Sequence, residues 1–455
     1  MKKVKLGDIG KIVTGKTPST KNPAFFEIDF MFITPEDITN NPSNIIESKR
    51  YISKLGINSI LSNSIDGVSV VVGCIGSDMG NIGYVKGKCA TNQQLNSITN
   101  IQKNYDAKFI YYCLKPQKEH LRKIAGSTTT PILPKSVFEE IEISIPDLQT
   151  QSAIARVLSS FDDKIELNNK INRELENLAR TIYEYWFVQN AEESWERKKI
   201  GDLIENQKSG DWGKETEEGN YTQKVTCIRG ADINSLVGSG ELKAPKRYIL
   251  EKNKCKFLCD GDFIIEISGG SPTQSTGRIA YILEEMLKGF ENPLICSNFC
   301  KAISLKNKGL FYYFVFIWRQ LYDNGLFFGY EGKTSGIKNF LFDDFVSFFE
   351  IVIPPTQILK KFNKTVSSIF EQIIKNRQEN AELAQLRDFL LPLLMNGQVT
   401  VSKTQDEPTI IPFKKFANDD AKYQTWNTEI GLAARCDIDE QTLRNIYEAI
   451  DENDR

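Results

Sequence analysis

The chain has one histidine, His120, among 455 residues. That scarcity removes most chemistry built on imidazole, because neither a Ser/His/Asp set nor a His-rich metal spacing can be assembled around it. No stretch stays apolar for the roughly 18 residues that a transmembrane helix needs. Net charge is −2, so the overall balance does not advertise a nucleic-acid partner. The cysteine count is odd, at nine, and follows no disulfide-framework spacing, which fits a reducing compartment. Cys255-x3-Cys259 and Cys296-x3-Cys300 lack the x2 knuckle spacing of structural zinc and sit in apolar, strand-like text; buried core thiols are expected instead. The basic start Met1-Lys2-Lys3 has no apolar run behind it, so no signal peptide is read and a soluble cytoplasmic protein is expected. Carboxylates are plentiful but unclustered. A binding or scaffolding role follows better than catalysis.

What the chain does have is a repeated stripe. Ile154, Leu158, Phe161, Ile165, Asn168, Asn172, Leu175, Leu178 and Ile182 alternate steps of four and three almost throughout, the pattern of a helix that packs along a second helix. The same pattern returns at Phe362, Val366, Ile369, Ile373, Asn376, Asn380, Leu383, Leu386 and Leu390, each 208 positions after its counterpart (154 to 362, 182 to 390). Even the two asparagines recur. A buried Asn must find a partner, so it fixes register at a cost in stability. Further echoes are weaker. Lys3-Val4-Lys5-Leu6-Gly7-Asp8-Ile9 returns as Arg197-Lys198-Lys199-Ile200-Gly201-Asp202-Leu203, now 194 positions on (7 to 201), so the second globular part carries a net insertion of 14 residues (208 − 194). A tandem duplication with a length-conserved connector and diverged globular parts is expected.

Residues 1–144 read as mixed α/β, with strands at Val68–Val72, Ile82–Val85 and Ile141–Ile145 and a helix over Lys108–Ile124. This segment holds 18 Lys/Arg against 13 Asp/Glu, whereas residues 402–455 hold 7 against 12. Gly10-Lys11-Ile12-Val13-Thr14-Gly15-Lys16-Thr17 matches the phosphate-loop pattern literally, but loop text with Pro18 and Pro23 follows where a helix should begin. Asn22-Pro23-Ala24-Phe25 is a weak relative of the amino-methyltransferase motif and reads better as a loop entering a strand. Beyond Gly397 a linker to about residue 422 and a short acidic helix over Ile438–Ile450 are expected.

In this order the layout resembles the specificity subunit of type I restriction-modification systems. The carrying residues are Gly7-Asp8-Ile9, Thr14-Gly15-Lys16-Thr17-Pro18, Ala90-Thr91-Asn92-Gln93, and Ile143-Ser144-Ile145-Pro146 with Gln149 or Gln151 opening the first long helix; Ile351-Val352-Ile353-Pro354-Pro355 with Gln357 opens the second. The resemblance covers residues 1 to about 400, and the second glycine region departs from it. It implies a mixed α+β chain: two α/β target-recognition domains (1–144 and 191–352) joined by two long helices (145–190 and 353–400) in an antiparallel coiled coil, then an acidic tail, 401–455. It further implies double-stranded DNA as ligand, each domain reading half of a split target. Two methyltransferase subunits and restriction-motor subunits would be partners. S-adenosylmethionine, ATP and magnesium would sit on those partners, with no cofactor, metal or catalytic residue in this chain and no membrane contact. Base edges are read by Arg, Lys, Asn, Gln, Ser and Thr on loops. The DNA-contact candidates are therefore Lys16, Thr17, Ser19, Ser77, Asn81, Gln93 and Gln94 in the first domain, and Trp212, Lys214, Ser271, Gln274, Arg278, Lys333 and Ser335 in the second. The competing readings are a duplicated α/β adaptor that binds protein, and an enzyme working through one of the two weak motifs.

Overall fold

The computed structural model describes residues 1–126, 131–238, 240, 242–269, 273–334, 337–401 and 410–412. The expected linker and acidic helix beyond residue 412, and Ser271 and Ser335, lie outside them. Two compact units form: unit 1 is Met1–Ile165 with the chain from Glu382 onward, and unit 2 is Glu166–Ala381.

In unit 1 a four-stranded antiparallel sheet runs in the order Lys11–Thr14, Leu95–Thr99, Ser69–Gly73, Ile82–Val85. Val70, Val72, Ile82 and Ile98 are buried against the helix Ala107–Leu114. Asp106 caps that helix by accepting from the Lys108 and Phe109 amides. A second sheet orders Tyr51–Ile52, Phe30–Ile33, Cys89–Thr91 and Ser64–Ile65, with Phe30–Ile33 and Cys89–Thr91 parallel. Strand Lys2–Lys5 pairs with Glu142–Ile145 and closes the unit. The helix expected over Lys108–Ile124 is two helices, Ala107–Leu114 and Lys118–Ala125, because Pro116 supplies no amide donor and a 3-10 turn intervenes.

Unit 2 repeats this plan. Its four-stranded sheet is Ile204–Ser209, Cys300–Leu305, Phe263–Glu266, Ile279–Tyr281; its second sheet is Lys246–Leu250, Tyr221–Ile228, Leu294–Cys296, again with one parallel pair; Glu196–Lys199 pairs with Glu350–Ile353. The helix Phe311–Asp323 packs an aromatic core around Trp318, whose indole donates to the Gly277 carbonyl at 2.8 Å. Part of the length difference is visible as a structure. Unit 1 passes from Val85 to Cys89 through Gly87 at φ +88°, whereas unit 2 inserts the helix Glu284–Lys288 between Tyr281 and Leu294. Unit 2 also adds a small sheet, Ser268–Gly269, Ile337–Phe340, Glu331–Thr334.

The two long helices are Leu148–Glu184 and Thr356–Met395, 37 and 40 residues, about 55 and 60 Å at 1.5 Å per residue. Asp147 opens the first by accepting from the Thr150 amide. Buried Gln151 accepts from the Asp106 amide at 2.9 Å and donates to Pro146 O at 3.0 Å, tying the helix start to the capped helix of unit 1. Within unit 2, Asn168 donates to Asn380 at 2.9 Å and Asn376 to Asn172 at 2.8 Å, so the helices run antiparallel there. Phe362, Val366, Ile369, Ile373, Asn376, Leu383, Leu386 and Leu390 are buried, as are Ile154, Leu158, Phe161, Asn168 and Asn172, while Ile165, Leu175, Ile182 and Asn380 are half-buried. Leu178 corrects the expected seam: it is 50% exposed, and Ala179 and Tyr183 hold the buried positions. A 3.6-residue turn drifts against a 3.5-residue pattern, and beyond Asn172 the stripe moves one residue on to meet unit 2's aromatic core.

The cysteines correct a second expectation. Cys296 and Cys300 are buried, but Cys255 and Cys259 are exposed, on and just beyond the polar 3-10 turn Glu251–Lys256. Burial pushes Cys89, Cys113, Cys227 and Cys296 up to about 12 and Cys74 up to about 11. Where the folded state keeps thiol protons that the unfolded chain has lost, each rise in pH costs stability. Their contribution is therefore complete below about pH 9 and is lost progressively from there until pH reaches the folded values of 11 to 12, at about 1.4 kcal/mol per thiol per pH unit. Urea midpoints followed by circular dichroism at pH 8, 10 and 11 should fall from the first to the second and again to the third. A flat profile would contradict this burial.

Candidate nucleic-acid interface

In both units one glycine lets a loop cross the main sheet's end. After strand Lys11–Thr14, Gly15 lies so near the next turn that a Cβ would stand 2.1 Å from Asn92 O and 2.4 Å from Thr91 O. The Gly15 amide donates to Leu95 O at 3.0 Å and the Lys16 amide to Thr91 O at 2.9 Å. After strand Ile204–Ser209, Gly210 makes the same approach, with a Cβ position 1.9 Å from Ser297 O, and the Asp211 amide donates to Cys296 O at 2.9 Å. The second glycine is thus present where the chain text looked degenerate. Its signal is Ser209-Gly210-Asp211, a polar residue, glycine and charge ending a strand, as in Thr14-Gly15-Lys16.

These crossings gather some candidates and scatter others. Lys16 and Gln93 are exposed, and Thr17 Oγ1 donates to Gln93 Oε1 at 2.8 Å, so the two loops present one polar surface with Gln94 beside it. Asn92 Nδ2 donates to Gln94 Oε1 at 2.9 Å. Ser19 is exposed farther along the first loop. Ser77 and Asn81 sit on the turn around Gly76–Asp78; Lys118 donates to Asn81 Oδ1 at 2.7 Å and Arg122 to Ser77 O at 2.8 Å. In unit 2 Trp212 and Lys214 occupy the loop after Gly210. That loop is zipped to Tyr248 by 2.9 Å bonds in both directions, with Gly213 in the left-handed region at φ +61°.

Arg247 is the residue the sequence reading missed. It is 6% exposed, its guanidinium lies 3.9 Å from the Trp212 ring centroid, and it pairs with Glu215 at 3.1 Å. Its cation lies against the indole, which is 37% exposed. A lone Arg in the alternating strand Lys246–Leu250 gave no sign of turning inward.

Arg278 corrects the candidate set. Its Nε and Nη2 donate to the two carboxylate oxygens of buried Glu266 at 2.8 and 2.7 Å, and those hydrogen bonds raise its pKa above the ordinary value. A fork already filled by a buried carboxylate is a structural tie rather than a reader of guanine. Gln274 is exposed. Lys333 lies on strand Glu331–Thr334, opposite Lys338, and its side chain, like Ser271 and Ser335, is outside the described residues.

The phosphate-loop match has other geometry. From Lys16 the chain runs through coil to the 3-10 turn Pro23–Phe25, so no helix N-terminus meets the Lys-Thr pair. Asn22 caps that turn by accepting from the Ala24 amide at 3.3 Å. His120 is exposed on Lys118–Ala125. Among the described residues no His/Cys/Asp/Glu group is arranged to hold a metal, and no helix is long and apolar enough to cross a membrane.

Residues 1–177 and 192–386 both match the family described as the type I restriction modification DNA specificity domain. The chain is 28% identical over 425 residues to the type I restriction enzyme MjaIX specificity subunit of Methanocaldococcus jannaschii, covering 88% of this chain and 93% of that one. It is 23% identical over 343 residues to the HindI specificity subunit of Haemophilus influenzae, covering 62% and 74%. In fold it is similar to the crystal structure of a type I restriction-modification S subunit from M. genitalium, with a TM-score of 0.51 at 20% identity over 86% of this chain and 95% of that one.

Proposed function

Because the chain belongs to the family of type I restriction-modification DNA specificity subunits, we propose that its duplicated domains divide the recognition of DNA sequence, each reading one half of a bipartite target. The long helices set the untouched gap as an antiparallel coiled coil and dock two methyltransferase subunits. S-adenosylmethionine, and ATP and magnesium for a restriction-motor subunit, belong to those partners, and this chain supplies the address.

One observation supports the reading above all. The same main-sheet order and the same glycine crossing occur twice, yet Lys16, Thr17 and Gln93 at the first crossing are answered by Asp211, Trp212 and Asn298 at the second. A conserved frame with different side chains is what two readers of different half-sites require.

The test is co-expression with a cognate methyltransferase, followed by mapping of methylated adenines. Lys16→Ala with Gln93→Ala should relax one half-site only, and Trp212→Ala the other, each by roughly 10- to 100-fold, the range for losing a good base contact. Equal relaxation of both halves by either variant would sink the two-reader model.

A further inference from the structure

The helix stripe is duplicated, but its ion pairs are not. In unit 1 Arg387 on the second helix donates to Asp162 on the first at 2.5 Å; Asp162 is 4% exposed and also accepts from the Tyr112 hydroxyl at 2.5 Å. In unit 2 Arg377 on the second helix pairs with Glu176 on the first at 3.2 Å, and its guanidinium also caps the carbonyls of Leu236 and Val237. Moved by the 208-residue offset, Asp162 becomes Phe370 and Glu176 becomes Ala384; moved back, Arg387 becomes Ala179 and Arg377 becomes Asn169.

This difference decides which helices accept each other. Two copies of the first helix, paired in the same register, would match Asn168 with Asn172, so the amide seam would be satisfied. Asp162 would then face Ala179, and Glu176 would face Asn169. The nearby cation Arg180 is 57% exposed and directed to Asp323 at 3.7 Å. Two copies of the second helix would match Asn376 with Asn380, but would put Arg387 against Phe370 and Arg377 against Ala384. Each like-with-like pair therefore strips a group of its cross-helix counter-ion: buried Asp162 in one, and in the other Arg377 together with Arg387, which keeps only Asp388 on its own helix. A buried charge stripped of its partner is strongly disfavoured.

We propose that Asp162–Arg387 and Glu176–Arg377 form a pairing code that joins the first helix to the second and rejects pairing between like helices of two copies of this chain. The asparagines set register without discriminating, and the ion pairs discriminate. On the proposed function above, the code keeps two different readers in every assembly, so the target stays asymmetric; the pairing itself does not depend on that reading.

The experiment begins with the folded full chain carrying a protease site between Glu192 and Glu193, in the exposed segment before Trp195. Two preparations with different N-terminal tags are cut, mixed and left to exchange, and the paired pieces are weighed by native mass spectrometry. The unaltered chain should give first-with-second pairs, with fewer than about one piece in ten in like pairs. A symmetrised variant, Asp162→Phe, Arg387→Ala, Glu176→Ala and Arg377→Asn, should let like pairs rise to roughly half of all pieces, as indiscriminate exchange gives. The charge swap Asp162→Arg with Arg387→Asp should keep first-with-second pairing. Abundant like pairs from the unaltered chain would overturn the code, as would exclusive first-with-second pairing in the symmetrised variant or loss of that pairing in the charge swap. No DNA enters this readout, so its failure and the failure of the two-reader model are separable.

Discussion

Arg387→Ala should destabilise unit 1 by about 3 to 5 kcal/mol, the range for removing one partner of a buried ion pair. The loss arises mainly from what is left behind. Asp162 would stay beneath the helix pair with the Tyr112 hydroxyl as its remaining donor in the cluster. Burial first, and then the Asp162 carboxylate, hold Tyr112 far above the ordinary phenol pKa, so that donor keeps its proton. Asp162→Ala should cost less, because Arg387 retains Asp388 at 2.8 Å on its own helix. Hydrogen exchange resolved by segment is the suitable measurement, since a chain of two units need not unfold in one step. Protection should fall along Ala107–Leu114 and the first four turns of the first long helix, and stay unchanged in Phe311–Asp323. A loss below about 1 kcal/mol would place the pair among exposed ion pairs instead.

The second large effect is expected at the glycine crossings. In Gly15→Ala the new methyl would have to enter space held by Asn92 O and Thr91 O, and in Gly210→Ala by the Ser297 carbonyl. Backbone cannot rotate aside as a side chain does, so about 3 kcal/mol or more is expected for each, at the upper end of overpacking costs. The function should fail more selectively than the fold. Displacing the Gly15 loop moves Lys16 and Thr17 away from Gln93, and recognition of one half-site should collapse while the other persists; Gly210→Ala should reverse the pattern. Gly329→Ala is the control, with nothing within 4 Å of its Cβ position, and should change stability by less than about 0.5 kcal/mol. Equal behaviour of all three variants would remove the crossing from the account.

Much of this architecture was legible because it is periodic. The helices, their fixed offset and their asparagines come from spacing alone, and family membership reinforces the duplicated plan. Periodicity also marks where legibility stops. A strict heptad puts Leu178 in the seam, but the real helix drifts, and Ala179 takes the buried place in the aromatic cluster of unit 2. Residue type marks the surface candidates, and type does not reveal partners. Arg278 and Arg247 are the same residue in similar strand text, yet one is filled by Glu266 and the other lies beneath Trp212. Gly210 was hidden for a different reason: its neighbours diverged along with the readers, while the backbone constraint survived.

The order of the units along the chain has a consequence for synthesis. Unit 2 is one continuous segment, whereas unit 1 needs both its opening 165 residues and the helix portion that starts at Glu382. Leu158 and Phe161 share a cluster with Leu383, Leu386 and Leu390, which leave the ribosome more than 200 residues later. At about 5 to 20 residues per second the nascent first helix carries an uncovered apolar stripe for roughly 10 to 50 seconds. Translation must therefore finish the inner unit before the outer one can close.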